Sequence, residues 1–121
     1  MGATVVSLGL LVPSAQAAPA AAQDCAATHT VHGKVKASHT AVIRPKPVKS
    51  EANGLGQINK GDTVTLVNGN WDEPTKKCTY FVRNGEKNEV CSPGDPTTWY
   101  HTVWVERYKR IGYVPAACHR G

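Results

Sequence analysis

Residues 78–91 read CTYFVRNGEKNEVC, and this stretch is the strongest local indication of the fold. Asn84-Gly85 lies at its centre, and this pair favours a two-residue type I′ hairpin turn because both turn positions need a positive φ. A hairpin in that register places Cys78 opposite Cys91 at a non-hydrogen-bonded pair, where side chains approach most closely. The stretch therefore predicts a β-hairpin closed by a Cys78–Cys91 disulfide.

The chain has four cysteines, and their number and spacing indicate disulfides rather than a metal site. An even count in a small chain is typical of secreted, disulfide-bonded domains, and no Cys-x-x-Cys pair is present to bind zinc. Four cysteines allow three connectivities. The hairpin register selects Cys78–Cys91, which leaves Cys25–Cys118 as the second bridge and ties the two ends of the domain together.

Residues 1–17 are predicted to be a signal peptide. They contain a short apolar run, Val5–Val12, followed by Ala-Gln-Ala at residues 15–17, a small-x-small pattern at which signal peptidase cleaves. No basic residue precedes Lys34, so the usual positive n-region is missing, which a start codon assigned too far downstream would explain. The run is too short for a transmembrane helix. We therefore expect a secreted protein without a membrane anchor, with residues 18–30 as a flexible linker.

The chain is basic, with 14 Lys and Arg against 9 Asp and Glu and a formal net charge of +5. A secreted basic protein suits an anionic partner such as a cell-wall polymer or an acidic protein surface, although solubility alone explains the charge equally well. No nucleic-acid-binding motif accompanies the basic residues. The charge makes an anionic polymer a candidate partner without selecting it.

Alternating apolar and polar residues, interrupted by turn residues, predict an all-β domain over residues 31–118. Residues 45–56 are predicted to be a loop because two prolines and two glycines there interrupt a β-ladder. Turn residues on both sides of the cysteine hairpin make residues 69–98 an insertion into the main sheet. The predicted strands are Lys34–Arg44, Gln57–Ile58, Thr63–Asn68, Lys77–Arg83, Lys87–Ser92, Trp99–Arg107 and Arg110–Val114.

Residues 35–67, VKASHTAVIRPKPVKSEANGLGQINKGDTVTLV, resemble the first half of a bacterial Src homology 3 domain. That family opens with a strand ending in a basic residue, here Arg44, followed by a loop rich in Pro, Ser, Asn and Gly and by a Lys-Gly-Asp turn, here residues 60–62. Gly-Tyr-Val-Pro at residues 112–115 resembles the end of the family's domain. The resemblance covers about residues 35–117 apart from the insertion. It implies a small Src homology 3-like barrel with an inserted disulfide-bridged β-hairpin.

The resemblance also implies a binding site. In the family, the positions of Trp99 and Tyr113 line a ligand groove beside the loop 45–56. Trp104 could take the place of Trp99 as the family's first tryptophan, because the sequence does not fix the register of this strand. Trp99, Tyr100 and Tyr113 are the predicted ligand-binding residues, since Trp and Tyr combine apolar area with a polar group suited to peptide or glycan recognition. The implied function is a secreted, monomeric, non-catalytic module that binds cell-wall peptide or another extracellular ligand, including an extracellular protein.

Two other functions are compatible with the sequence. The cysteine hairpin could present residues 83–87 to a partner such as a protease, because a rigid loop lowers the ordering cost of binding. Alternatively, Glu89, Arg83 and His101 could supply the acid, base and cation of a small basic secreted hydrolase, although nothing in their spacing requires it.

No metal or cofactor is predicted from the five histidines. His29 and His32 have the i, i+3 spacing of a metal pair on a helix, but glycine and β-branched neighbours disfavour a helix there. Exposed, unpaired histidines are the simpler interpretation.

Overall fold

The structure is a computed structural model that describes residues 25–49 and 54–120. The predicted signal peptide, residues 1–17, and residues 18–24 of the predicted linker lie outside these ranges. The described part of the chain is mainly β, as predicted, with a helical turn at residues 25–28. None of its helices is long and apolar enough to span a membrane. Its strands are β1 (Val31–Lys36), β2 (Ala41–Ile43), β3 (Gly56–Ile58), β4 (Thr63–Val67), β5 (Asn70–Asp72), β6 (Lys77–Thr79), β7 (Phe81–Val82), β8 (Tyr100–Val105) and β9 (Arg110–Pro115), and two short 3₁₀ helices cover Glu106–Tyr108 and Ala116–His119.

The main sheet is antiparallel and has five strands, with β8 at its centre. β9 pairs with β8 along its full length on one edge. β4 and β7 share the other edge of β8, where β4 pairs near the middle of the strand and β7 near its start. β1 pairs with the edge of β4 that faces away from β8. β8 therefore pairs with three of the four other strands of the main sheet.

Side-chain alternation determines which face of the sheet is buried. In β4, Thr63 and Thr65 are exposed while Val64 and Leu66 are buried, as expected for a strand with one face on the core. Val64 and Leu66 belong to a buried core cluster that also contains Val103 of β8, other small apolar residues and the half-cystines Cys91 and Cys118. The disulfide-bonded sulfurs thus form part of the core.

The β2–β3 hairpin is joined to the main sheet by a bridge between Arg44 and Tyr113 of β9. Gly112 permits this approach, since a Cβ at that position would collide with the side chain of Ile43. Backbone pairing among the described residues does not close the sheets into a barrel. The all-β class is confirmed, and the Src homology 3-like barrel stays a prediction.

Several predicted strand boundaries are wrong. The predicted strand Lys34–Arg44 is two strands, because Ala37 turns into the core and exchanges backbone hydrogen bonds with Gly61 and Asp62. The predicted strand Lys87–Ser92 is a turn region that contributes a single bridge, between Asn88 and Thr97. β5 forms where no strand is predicted, and the predicted strand Lys77–Arg83 is two strands, β6 and β7.

The two disulfides are Cys25–Cys78 and Cys91–Cys118, so all four cysteines are bonded as predicted but the predicted pairing is wrong. Cys78 lies on β6, which pairs with β5 and places Cys78 opposite Trp71. A turn with Lys76 at a φ of 57° connects these two strands. β6 therefore pairs with the preceding strand, β5, and Cys78 lies opposite Trp71 instead of Cys91.

The predicted Asn84-Gly85 hairpin is wrong for the same reason. Neither Asn84 nor Gly85 has a positive φ, so no type I′ turn is present. Phe81 and Val82 pair with the central strand β8 instead of with residues 87–88. Gly85 is needed for its small size, because a Cβ there would collide with the ring of Tyr100.

Candidate functional site

The β8–β9 pair carries the predicted binding residues, but on two different faces. Tyr113 lies opposite Thr102, and Trp104 lies opposite Ile111. Residues two apart on a strand share a face, so Trp104 and Tyr113 are diagonal neighbours on one face of the pair. Trp99 precedes β8 and stacks on Phe81. Phe81 pairs with His101, which lies on the opposite face from Thr102 and Trp104. The structure therefore does not bring Trp99 and Tyr113 together in one groove.

Trp104 and Tyr113 line a groove with a volume of 580 Å³. This volume lies within the range of about 300–1,000 Å³ that is usual for ligand sites. We name it the Trp104–Tyr113 groove, and it is lined by Ala26, Ala27, Trp104, Lys109, Arg110, Ile111 and Tyr113. Trp104, the alternative to Trp99 in the predicted groove, is the tryptophan that the register between β8 and β9 places beside Tyr113.

The aromatic side chains of the groove are held in place by their neighbours. The imidazole of His29 stacks on the indole of Trp104, with ring centroids 3.8 Å apart and planes within 7°. The indole N–H of Trp104 donates a hydrogen bond to Glu106 Oε1 at 2.9 Å. Burial raises the pKa of Tyr113, so its phenol is neutral near pH 7. The groove thus presents preformed, uncharged aromatic surface.

The rim of the groove is basic. Residues 106–110 carry one carboxylate, on Glu106, and three cationic side chains. Glu106 forms an ion pair with Lys109, whose αL conformation turns the chain from the 3₁₀ helix into β9. Arg110 Nη2 donates to the carbonyl of Pro45 at 2.8 Å, which places the guanidinium beside the first residue of the predicted loop. An excess of positive charge therefore lies next to the aromatic surface.

A second cluster of aromatic side chains surrounds Trp99, and we name it the aromatic patch: His32, Tyr80, Phe81, Arg83 and Trp99. Trp99 is 43% exposed and stacks on Phe81 with ring centroids 5.0 Å apart. The guanidinium of Arg83 lies 5.1 Å from the Phe81 centroid and 5.6 Å from that of Trp99. His32 stacks on Tyr80 at 3.7 Å, and Tyr80 meets Phe81 edge to face. The patch is a continuous row of rings.

The positive charge of the aromatic patch is neutralised by a buried carboxylate. Arg83 donates to both oxygens of Asp72, at 2.8 Å through Nε and 3.2 Å through Nη2. Asp72 also accepts a hydrogen bond from the hydroxyl of Thr75. The hydrogen bond from Arg83, followed by that from Thr75, lowers the pKa of Asp72 to about 2. Arg83 and Asp72 therefore form a neutral, bidentate pair at neutral pH.

A histidine pair lies beside the aromatic patch. His101 Nδ1 and His119 Nδ1 are 2.8 Å apart, and the His101 ring is 5.7 Å from that of Tyr80. His119 Nε2 is buried without a hydrogen-bond partner among the described residues. The tautomer that buries no unsatisfied N–H has the proton of His119 on Nδ1, donating to His101 Nδ1. Burial lowers the pKa of both imidazoles, to about 4 for His101, where the charges of His119 and His32 act in the same direction.

Tyr100 is a core residue. Its predicted contact with a ligand would require a side chain at the surface. Its side chain is fully buried, and its hydroxyl donates to the Glu86 carbonyl at 2.7 Å. The same hydroxyl accepts a hydrogen bond from Asn88 Nδ2 at 3.0 Å. Asn88 is itself buried and also pairs through its backbone with Thr97. These contacts attach residues 86–88 to β8, and a lone Asn between charged residues gave no sign of this role.

We expect Tyr100→Phe to lower the free energy of unfolding by about 1–2 kcal/mol, because it removes the hydrogen bond to the Glu86 carbonyl and the hydrogen bond from the buried Asn88 amide. Urea denaturation of the two proteins measures this difference. Tyr108→Phe is the matched control, since Tyr108 is 46% exposed, and it should change stability by less than about 0.5 kcal/mol. Equal losses in the two variants would contradict the role given to the Tyr100 hydroxyl.

The structure also locates the residues of the two alternative functions. Residues 83–87 do not form a protruding tip, because Glu86 bonds through its backbone N–H to Pro47 and through its carboxylate to the N–H of Lys49. The three residues considered for a hydrolase are not joined by any hydrogen bond or ion pair among the described residues. Glu89 accepts from the backbone of Gly94, Arg83 pairs with Asp72, and His101 bonds to His119.

No arrangement of three or more His, Cys, Asp or Glu side chains suited to a metal ion is present in the described ranges. His29 and His32, the metal pair considered from the sequence, lie on Trp104 and Tyr80 respectively. Comparison of the chain with protein-family models, with curated proteins and with solved structures finds no match.

Proposed function

We propose that this protein is a secreted, non-catalytic binding module whose Trp104–Tyr113 groove holds an anionic peptide, such as a cell-wall peptide with free carboxylates. The observation that carries the proposal is the groove itself, in which two aromatic side chains and the cation Arg110 line one concavity of 580 Å³ beside the Lys109–Glu106 ion pair. Binding sites combine apolar surface with a few polar groups in this way. The basic rim supplies the attraction for carboxylates, and the rings supply apolar contact.

The expected contacts follow from the groove's composition. Arg110 is exposed, and a guanidinium can bind a carboxylate through two parallel hydrogen bonds. Ala26, Ala27 and Ile111 provide apolar surface for short side chains such as those of alanine. The indole of Trp104 is already ordered by His29, so binding does not have to immobilise it. A short peptide of small and acidic residues satisfies all of these groups.

The two disulfides support the extracellular part of the proposal. Disulfides persist in oxidising compartments, and they stabilise small domains whose core is limited. Both bridges here connect distant parts of the chain, with sequence separations of 53 and 27. A protein of this kind retains its fold outside the cell, where cell-wall peptides are exposed.

We expect Trp104→Ala to weaken binding of a soluble, acidic wall-derived peptide about thirtyfold, the usual effect of removing an aromatic side chain at the centre of a site. Isothermal titration calorimetry with the purified peptide, free of glycan, gives the dissociation constant. The affinity of the unmodified protein should fall as salt is raised, because the rim charges are solvent-exposed and screened.

Trp99→Ala is the matched control, since it removes an equal side chain from the opposite face of the β8–β9 pair. It should leave peptide affinity unchanged. If the unmodified protein does not bind the peptide, or if Trp99→Ala weakens binding and Trp104→Ala does not, the groove is not the site.

A further inference from the structure

The aromatic patch is a partly exposed surface that lies apart from the groove. It lies on the opposite face of the β8–β9 pair, and its rings form a row from His32 through Tyr80 and Phe81 to Trp99. Trp99 is 43% exposed although one of its faces rests on Phe81. An exposed indole that is already stacked on a second ring presents a flat apolar surface with little freedom left to lose.

The aromatic patch also carries no unpaired Lys, Arg, Asp or Glu side chain, although the protein has a net charge of +5. The only cation within it, Arg83, is neutralised by the carboxylate of Asp72. The adjoining imidazoles of His101 and His119 are neutral at pH 7, because burial holds the pKa of each below its ordinary value. The patch therefore offers no net charge that would attract an acidic or a basic partner.

We propose that the aromatic patch binds an uncharged glycan chain by stacking a sugar ring on Trp99. A pyranose has an apolar face of C–H bonds and a rim of hydroxyl groups. The exposed indole fits the apolar face, and the guanidinium of Arg83, 5.6 Å from the Trp99 centroid, can donate to a neighbouring hydroxyl. The ion pair with Asp72 fixes this guanidinium and neutralises its charge.

The proposed glycan contact is independent of the peptide groove. The two surfaces face opposite ways, so one protein could hold the glycan and the peptide parts of a wall polymer without competition. Two weak sites on one polymer would raise the overall affinity by effective concentration. The distinction between the sites is experimental, because glycan binding should resist high salt whereas peptide binding should not.

Calorimetric titration of the full chain with two uncharged oligosaccharides, chitotetraose and cellotetraose, at high salt tests the proposal. We expect at least one of them to bind with a millimolar or tighter dissociation constant, and the preferred sugar shows whether an N-acetyl group is recognised. Trp99→Ala should weaken this binding about tenfold or more, whereas Trp104→Ala should leave it unchanged. Trp99→Phe should retain part of the affinity, because it keeps a ring at the same place.

Three results would overturn the inference: no binding of either oligosaccharide, equal affinity in the unmodified protein and Trp99→Ala, or equal losses in the Trp99 and Trp104 variants. Binding of a protein partner at Trp99 without binding of either sugar would also overturn it. None of these results bears on peptide binding, which is measured separately with a glycan-free ligand. Near-ultraviolet circular dichroism of each variant checks that the fold is retained.

Discussion

The double substitution Cys91→Ala, Cys118→Ala is expected to lower the free energy of unfolding by about 4 kcal/mol. Chain entropy accounts for about 3.5 kcal/mol of this loss, since the bridge closes a loop with a sequence separation of 27. The remainder, about 0.5–1 kcal/mol, comes from the small voids left where two buried sulfurs packed in the core cluster. Small domains have about 5–15 kcal/mol of stability in all, so this variant should be close to unfolding at moderate temperature.

The double substitution Cys25→Ala, Cys78→Ala should cost less, although its loop is longer. Chain entropy alone would give about 4 kcal/mol for a separation of 53. However, none of the residues from 25 to β1 belongs to the core cluster, and this segment contacts the sheet through the stacking of His29 on Trp104 and a hydrogen bond from Asn68 to the Thr30 carbonyl. Without its bridge this segment can separate locally while the main sheet stays folded.

Urea denaturation followed by circular dichroism measures both effects, with peptide mapping under non-reducing conditions to confirm which bridge remains. The order of the two losses is the decisive result, because the chain-entropy relation alone predicts the reverse order. A larger loss in the Cys25, Cys78 variant, or an unchanged midpoint in the Cys91, Cys118 variant, would refute the role given to the core disulfide.

The difference between predicted and observed disulfides shows what local sequence could determine. The all-β class, the disulfide state of every cysteine and the strands near β4 and β9 follow from alternation and turn residues within a short window. The partner of Cys78 does not follow from such a window. Phe81 and Val82 pair with the central strand β8 and not with the opposite arm of a local hairpin, so Cys78 is not brought to Cys91. Residues 100–101 supply that pairing from almost twenty positions away, which no local pattern specifies.

The candidate site shows the same division. The resemblance to Src homology 3 domains predicts that Trp99 and Tyr113 line one groove, but the face of the sheet on which each side chain lies depends on the register between β8 and β9. That register puts Tyr100 in the core and pairs Tyr113 with Trp104. Asn88 and the His101–His119 pair were not anticipated, because each depends on a contact partner brought close only by the folded chain.

The protein is expected to lose about 3 kcal/mol of stability as the pH falls from about 6.5 to 4. His101 has an ordinary pKa of 6.5 and a pKa of about 4 in the folded protein, because burial and then the neighbouring His119 and His32 disfavour its charged form. Between these two values the unfolded chain binds more protons than the folded one, so stability decreases on acidification. The lowered pKa of His119 acts in the same direction. Below pH 4, protonation of Asp72, whose pKa is about 2, removes its pairing with Arg83 and causes a further loss.

Urea denaturation at several pH values between 7 and 4 separates the histidine contribution from general acid sensitivity. His101→Phe keeps an aromatic ring but cannot titrate, so its stability should depend less steeply on pH than that of the unmodified protein. At pH 7 it should be the less stable of the two, because the Nδ1–H of His119 loses its acceptor. Tyr100→Phe is the matched control on the same strand, and it should lower stability by a similar amount at every pH. Only His101→Phe removes a group that titrates between pH 7 and 4. If the stability of the two variants depends equally on pH, the histidine pair is not the cause of the loss of stability on acidification.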